Sequence, residues 1–108
     1  MDQDERMIQQ GDVQALRIDT LPNNVKKVAR KERGYVLAEG ETTGHAHVIQ
    51  DNIEMWEDEQ GTLYVNIPQR TILVHEEHGP ITFETGIWEI GIVQEVDPIS
   101  EQIRSIQD

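Results

Sequence analysis

All four histidines of the 108-residue chain fall in two short clusters. His45 and His47 flank Ala46, and His75 and His78 enclose Glu76 and Glu77. Imidazole nitrogens bind zinc, ferrous iron, manganese and nickel, and carboxylate oxygens commonly complete such sites. The chain contains no cysteine, which excludes disulfides, thiolate zinc sites and cysteine nucleophiles. The chemistry that these residue types favour is therefore the binding of a divalent metal ion.

The spacing of the histidines indicates how they could share one ion. On a β-strand, residues two apart point to the same face with their backbones about 7 Å apart, which suits His45 and His47. His75 and His78 are three apart, so a regular strand would separate them, but Gly79-Pro80 predicts a bend that turns one or both rings back. The predicted metal ligands are His45, His47, His75 and His78. The candidate oxygen ligands, or partners that orient the imidazoles, are Glu39, Glu41, Glu76 and Glu77.

The same residues also fit a centre without metal. Histidines on neighbouring strands can form a hydrogen-bonded polar layer with Thr42, Thr43 and Glu41. Alternatively, partly exposed imidazoles can titrate near neutral pH. The sequence leaves these alternatives open beside the metal site.

The elements that must position the histidines are predicted to be strands. Val13–Ile18 is a first strand candidate, and short apolar or alternating runs separated by Gly, Pro, Asn and Asp turns follow from Tyr35. Val25–Arg33 is expected to form one or two helical turns that end at Gly34. The predicted fold is mainly β, an antiparallel sandwich, jelly roll or small barrel of about seven strands.

The length predicts a single domain with a polar arm before it and a helix after it. Residues 1–10 form the expected arm, residues 11–97 the β domain and residues 98–108 a short C-terminal helix. Asp97 suits an N-cap and Pro98 the first helical turn, and three isoleucines then fall on one stripe. Five aromatic residues and 36% hydrophobic residues predict a lean core, which a metal or self-association would help to stabilise.

The charge is strongly acidic overall but locally basic. The net charge is −12, which argues against direct nucleic-acid binding. Residues 25–33 carry a net charge of +4 and the remainder −16, a separation that favours docking to an acidic protein or to another copy of the chain. The candidate docking residues are Lys26, Lys27, Arg30, Lys31 and Arg33. A solvated surface segment is the simpler interpretation.

Several segments together resemble a family of small bacterial and phage proteins. They are Gln10-Gly11-Asp12-Val13, then Leu21-Pro22, then Gly34 through His47 with its Gly-His-Ala-His end, and then His75-Glu76-Glu77-His78-Gly79-Pro80-Ile81. The resemblance covers nearly all of residues 10–97 and implies a grouping without an assigned activity. Family members usually have Pro-Pro-Gly where this chain has Glu84-Thr85-Gly86, a change that keeps the turn but makes it less rigid.

A weaker resemblance is to the cupins, metal-binding jelly rolls with a His-x-His strand. His45 and His47 match its first two positions. Glu54 is too distant to match the cupin glutamate, and Gly79-Pro80 follows the late histidine instead of preceding it. The cupin pattern is therefore matched only in part.

Two functions of different classes follow. The first is a non-enzymatic structural or interaction module, virion-associated or assembly-associated if encoded by a phage, whose histidines bind a divalent metal or staple an oligomer interface. The second is a small metalloenzyme with an open histidine-ligated zinc, iron, manganese or nickel ion. The expected location is cytoplasmic or in a virion, because the residues before Gly11 lack the apolar stretch of a signal peptide and no run is long enough to span a bilayer.

Overall fold

A computed structural model describes residues 6–40 and 42–93. Runs of alternating apolar and polar residues form strands in it. The strands are β1 (Met7–Gln10), β2 (Val13–Ile18), β3 (Val25–Lys27), β4 (Tyr35–Glu39), β5 (Ala46–Ile49), β6 (Glu54–Asp58), β7 (Leu63–Ile67), β8 (Thr71–Leu73), β9 (Ile81–Phe83) and β10 (Gly86–Ile92). Every pairing between them is antiparallel. The predicted mainly β, antiparallel fold is confirmed, with ten strands in place of about seven, in sheets that are not closed into a barrel.

Six strands form the largest sheet, in the order β1-β2-β10-β7-β6-β3. Its centre is β10, which pairs with β2 on one side and with β7 on the other. Within this sheet, residues two apart share a face, so Val13 and Ala15 of β2 and Trp88 and Ile90 of β10 are all buried. Because Val13 lies opposite Ile92, the beginning of β2 and the end of β10 lie side by side at the same end of the sheet.

The remaining strands form two hairpins, β4–β5 and β8–β9. They are joined by a pair of backbone hydrogen bonds between Val48 and Val74, each 2.9 Å long. A register shift between Val36 and Ala38 marks a bulge in β4 opposite β5. The histidines lie on these two hairpins. The two hydrogen bonds between Val48 and Val74 therefore determine how the pair His45 and His47 meets the pair His75 and His78.

One hydrophobic core joins the large sheet to the two hairpins. Phe83 of β9 and Trp88 of β10 are both essentially inaccessible, and their rings meet edge to face with centroids 5.3 Å apart. Leu37, Ile49 and Leu73 complete the contribution of the hairpins. Among the described residues, every buried side-chain nitrogen or oxygen has a hydrogen-bond partner.

Two parts of the chain differ from the prediction, and two more predictions concern residues that lie outside the described ones. The helical turns expected over residues 25–33 are wrong, because Val25–Lys27 is strand β3, paired with β6 at the edge of the large sheet. Met7–Gln10, the second half of the expected arm, forms β1 and pairs with β2. The predicted C-terminal helix of residues 98–108 and the candidate ligand Glu41 lie outside the described residues. Within residues 6–40 and 42–93, no helix is long and apolar enough to cross a membrane.

The β6–β7 hairpin is closed by Asp58. Its Oδ1 accepts the backbone N–H groups of Gln60 and Thr62, each at 2.9 Å, and its Oδ2 accepts the hydroxyl of Tyr64 at 3.0 Å. The N–H of Thr62 is the main reason that the pKa of Asp58 lies below the ordinary value of 3.8.

We expect this carboxylate to stabilise the fold in a pH-dependent way. Because its folded pKa is lowered, its contribution is present above pH 3.8 and is lost as the pH falls through the folded pKa. Asp58→Asn should therefore lower the melting temperature at pH 7, and its difference from the wild type should shrink below pH 3.8. Glu59→Gln, which removes one negative charge from an exposed position of the same turn, is the control. Equal melting temperatures for Asp58→Asn and Glu59→Gln at pH 7 would contradict the expectation.

Candidate metal centre

Three segments that are distant in sequence meet at one end of the molecule. They are the β1–β2 turn at Gly11-Asp12, residues 42–47 at the beginning of β5, and the bend at residues 75–79 after β8. The first segment is anchored by Gln10, whose side-chain amide donates to the carbonyls of Leu73 and Gly79 at 2.8 and 2.9 Å. Long-range strand pairing and one buried glutamine therefore assemble the site.

The four imidazoles lie together in this place. Because Val48 bonds to Val74 in an antiparallel bridge, His47 comes to lie opposite His75, and their ring centroids are 4.3 Å apart. His78 is 4.7 Å from His75 and 5.9 Å from His47. His45 meets His75 edge to face at 5.8 Å. We call this group the histidine cluster: His45, His47, His75 and His78.

His47 is the buried member of the cluster, with 4% of its surface exposed. Its Nδ1 is 2.9 Å from Oε1 of Gln10, and its Nε2 is 3.2 Å from Oδ1 of Asp12. Burial is the main cause that lowers the pKa of His47, and the neighbouring His75 adds to it, while Asp12 opposes it. The surroundings therefore favour a neutral imidazole here.

His45 and His75 are both tied to Glu77. The Nδ1 of His45 lies 3.0 Å from Oε1 of Glu77, and the Nδ1 of His75 accepts the backbone N–H of Glu77 at 3.0 Å. An acceptor Nδ1 leaves the proton of a neutral His75 on Nε2. A metal bound to His75 breaks the hydrogen bond from the Glu77 N–H, because it either takes the Nδ1 lone pair itself or, at Nε2, shifts the ring proton to Nδ1. The loss of one exposed hydrogen bond costs about 1 kcal/mol.

Glu76 holds the two histidine segments together. Its Oε1 accepts the backbone N–H of Ala46 at 2.9 Å, and its Oε2 contacts the guanidinium of Arg33 at 2.5 Å. The Ala46 N–H is the largest of several causes that lower the pKa of Glu76, and Arg33 contributes to the same effect. One ligand atom from each of His45, His75 and Glu76 lies within 4.8 Å of the others, which also makes Glu76 a candidate oxygen ligand.

Most of the other residues predicted for the site are exposed. Glu39 is paired with Arg33 at 3.6 Å. Among the described residues, the side chains that form hydrogen bonds or ion pairs with the imidazoles are Gln10, Asp12 and Glu77, and not Thr42 or Thr43. Thr43 instead accepts the backbone N–H of His45 and shapes the loop before β5.

The cluster opens into a cleft of about 1000 Å³. All four histidines line it, together with Asp12 and Glu77. Part of its lining is apolar, formed by Leu37 and Ala38 of β4 and by Ile92 and Val93 at the end of β10. A bound ion would therefore lie in a space large enough for water or a small molecule.

The basic residues of the candidate docking segment have different environments. Arg33 contacts Glu76, Glu39 and the carbonyl of Gly44, so it belongs to the frame of the cluster. Arg30 donates to the carbonyl of Gln50, and Lys27 pairs with Glu54 at 3.5 Å. Lys26 and Lys31 are exposed. Docking of this segment to an acidic partner stays a prediction.

The sequence matches the model of one known protein family. A model described as a domain of unknown function (DUF8820) matches residues 9–93. The chain belongs to the DUF8820 family. The matched region of this DUF8820 domain includes the β1–β2 turn and all four histidines. No curated protein and no solved structure matches the chain.

Three residues of the site in this DUF8820 domain, Gln10, Gly11 and Asp12, are not among those predicted from the sequence. They are the first three residues of the Gln-Gly-Asp-Val segment, which enters the sequence prediction only as part of the family resemblance. Gly11 has φ +57, and a Cβ built on it would lie 2.5 Å from Nε2 of His78. The signal that could have found them is a polar pair, Gln and Asp, around a glycine between two strands.

Gly11→Ala is expected to weaken metal binding by the DUF8820 domain by displacing His78. A non-glycine residue at this φ also costs about 1 kcal/mol of stability. Gly61→Ala is the control, because Gly61 has φ +88 in the β6–β7 turn outside the cleft, and its Cβ would make only an ordinary contact with Glu57 at 3.9 Å. It therefore shares the backbone cost without displacing a histidine. Calorimetric titration with Zn²⁺ should show weaker binding only for Gly11→Ala, and equal affinities for the two variants would contradict the account.

Proposed function

We propose that this domain binds one divalent transition-metal ion in the cleft through the histidine cluster, as a metal-stabilised binding module. The observation that carries the proposal is the convergence of all four imidazoles of the chain on one cleft from two distant segments. Imidazoles with nearby carboxylates suit zinc, ferrous iron, manganese or nickel. The metal would link β5 to the bend after β8 and so stabilise a lean core.

The energetic balance favours metal over the hydrogen bonds already present. Binding has to displace hydrogen bonds at His75 and near His45, each worth about 1 kcal/mol. Structural zinc sites of zinc fingers, which include cysteine thiolates, contribute on the order of 10 kcal/mol, so even a weaker site of histidines and carboxylates outweighs the lost hydrogen bonds. The hydrogen-bonded layer is therefore the expected metal-free form of the same site.

Metal analysis of tag-free protein tests the proposal. Protein stripped with a chelator, offered Zn²⁺, Fe²⁺, Mn²⁺ or Ni²⁺ and passed over a desalting column, should retain about one ion per chain of at least one metal. Its melting temperature should rise with the same metal. Protein that retains none of the four ions, and whose melting temperature none of them changes, would contradict metal binding.

A metalloenzyme is the second candidate, and the size of the cleft beside the histidines favours it. Catalysis requires a coordination position left open to water or substrate. Water-proton relaxation of the Mn²⁺-loaded protein separates the candidates, because an open position gives a rapidly exchanging bound water. If protein ligands fill every coordination position, no such water will be detected, and the result will favour the structural module over the enzyme. The cupin resemblance and the virion or assembly role stay predictions from the sequence.

A further inference from the structure

The β1–β2 turn presents a carboxylate directly beside the buried histidine of the cluster. Oδ1 of Asp12 lies 3.2 Å from Nε2 of His47, and the Asp12 side chain is 56% exposed toward the cleft. Its position depends on Gly11 and Gln10, which hold the turn against the bend after β8. Asp12 is therefore placed by built contacts and is not a loose surface acid.

Gln10 determines which nitrogen of His47 can bind a metal. Both protons of its amide are donated, to the carbonyls of Leu73 and Gly79, so the oxygen of the amide must face His47. The Nδ1 of His47, 2.9 Å from that oxygen, is then the donor. If His47 is a metal ligand, as the proposed function requires, it binds through Nε2.

We propose that Asp12 is a carboxylate ligand of the centre, and that Gln10 orients His47 so that its Nε2 and the Asp12 carboxylate bind the same ion. Bonds of about 2.0–2.1 Å from one ion to two atoms 3.2 Å apart give an angle of about 100°, between the octahedral and tetrahedral values. The resulting mixed nitrogen and oxygen set suits borderline divalent ions and not copper(I).

The inference rests on the proposed metal binding, and a substitution series at position 12 tests it separately. Asp12→Glu keeps a carboxylate and Asp12→Asn keeps the size and suits a turn. A ligand role predicts that Asp12→Asn binds Zn²⁺ about tenfold more weakly or worse, and that Asp12→Glu retains more affinity than Asp12→Asn. A role limited to the turn predicts equal affinities for both, with Asp12→Asn the more stable protein.

Cobalt spectroscopy adds a readout that turn stability does not affect. Loss of a carboxylate ligand should change the visible absorption of the Co²⁺-loaded protein in Asp12→Asn, whereas Asp19→Asn, an exposed control after β2, should leave it unchanged. Wild-type protein that binds no metal defeats the proposed function and this inference with it. Wild-type protein that binds Zn²⁺, with an Asp12→Asn variant of equal affinity and equal Co²⁺ spectrum, defeats the inference alone.

Discussion

The double variant His75→Gln/His78→Gln is expected to lose at least about 100-fold in affinity for Zn²⁺. Removal of a group that only supports a ligand already lowers metal affinity roughly 10- to 100-fold, and here two of the four imidazoles are removed. His75 is half-buried and His78 exposed, so the metal-free variant should still fold. Calorimetric titration of chelator-stripped, tag-free protein measures the affinity.

The control for this variant is Glu57→Gln/Glu59→Gln. It removes two exposed acidic side chains outside the cleft from a strongly acidic protein. If surface carboxylates held the ion non-specifically, this control would lose as much affinity as the histidine variant. We expect it to bind Zn²⁺ as the wild type does. Wild-type affinity in the histidine double variant would contradict a shared centre.

Trp88→Ala is expected to destabilise the domain by about 3–5 kcal/mol, a large part of the roughly 5–15 kcal/mol that holds a domain folded. The Trp88 side chain is 1% exposed, packs edge to face on Phe83 and donates its indole N–H to the carbonyl of Glu84 at 3.0 Å. The substitution leaves a cavity and removes the contact between the large sheet and β9. Urea unfolding followed by circular dichroism measures the loss.

Trp56→Ala provides the comparison, because Trp56 is only half-buried. It lies on the face of β6 opposite to the buried Met55, away from the shared core. We expect a loss of about 1 kcal/mol. If the two tryptophan variants lost equal stability, the core would not be organised around Trp88 as described.

Much of the fold follows from local pattern. The alternation of Leu63, Val65 and Ile67 predicts β7 and its inward face, and Ile53 and Met55 are buried as the sequence suggests. The pattern fails where strands are short or at an edge. In the segment that begins at Val25, Val25 and Val28 are three residues apart among polar residues, a spacing that resembles one face of a helix. Pairing with β6 nevertheless makes Val25–Lys27 a strand. Trp88, Ile90 and Ile92 alternate along β10, which predicts one buried face for all three, but Ile92 is exposed at the end of the strand.

The histidine cluster could be predicted by residue type, but its assembly could not. That His75 lies opposite His47 depends on the bridge between Val48 and Val74, whose register no local pattern specifies. The contributions of Gln10 and Asp12 depend on a hairpin turn docking on a bend more than sixty residues away. Long-range contacts of this kind are determined by tertiary packing, which is why the carboxylates nearest in sequence to the histidines were the natural prediction.

Crystallographic anomalous scattering tests the central claim most directly. Tag-free protein loaded with one equivalent of Zn²⁺ should give a single strong anomalous peak at the zinc edge, within about 2.3 Å of nitrogens from at least three residues of the histidine cluster. Such a peak would place imidazoles from both segments on one ion. Zinc bound only at other carboxylates, or at one histidine segment without the other, would contradict the account.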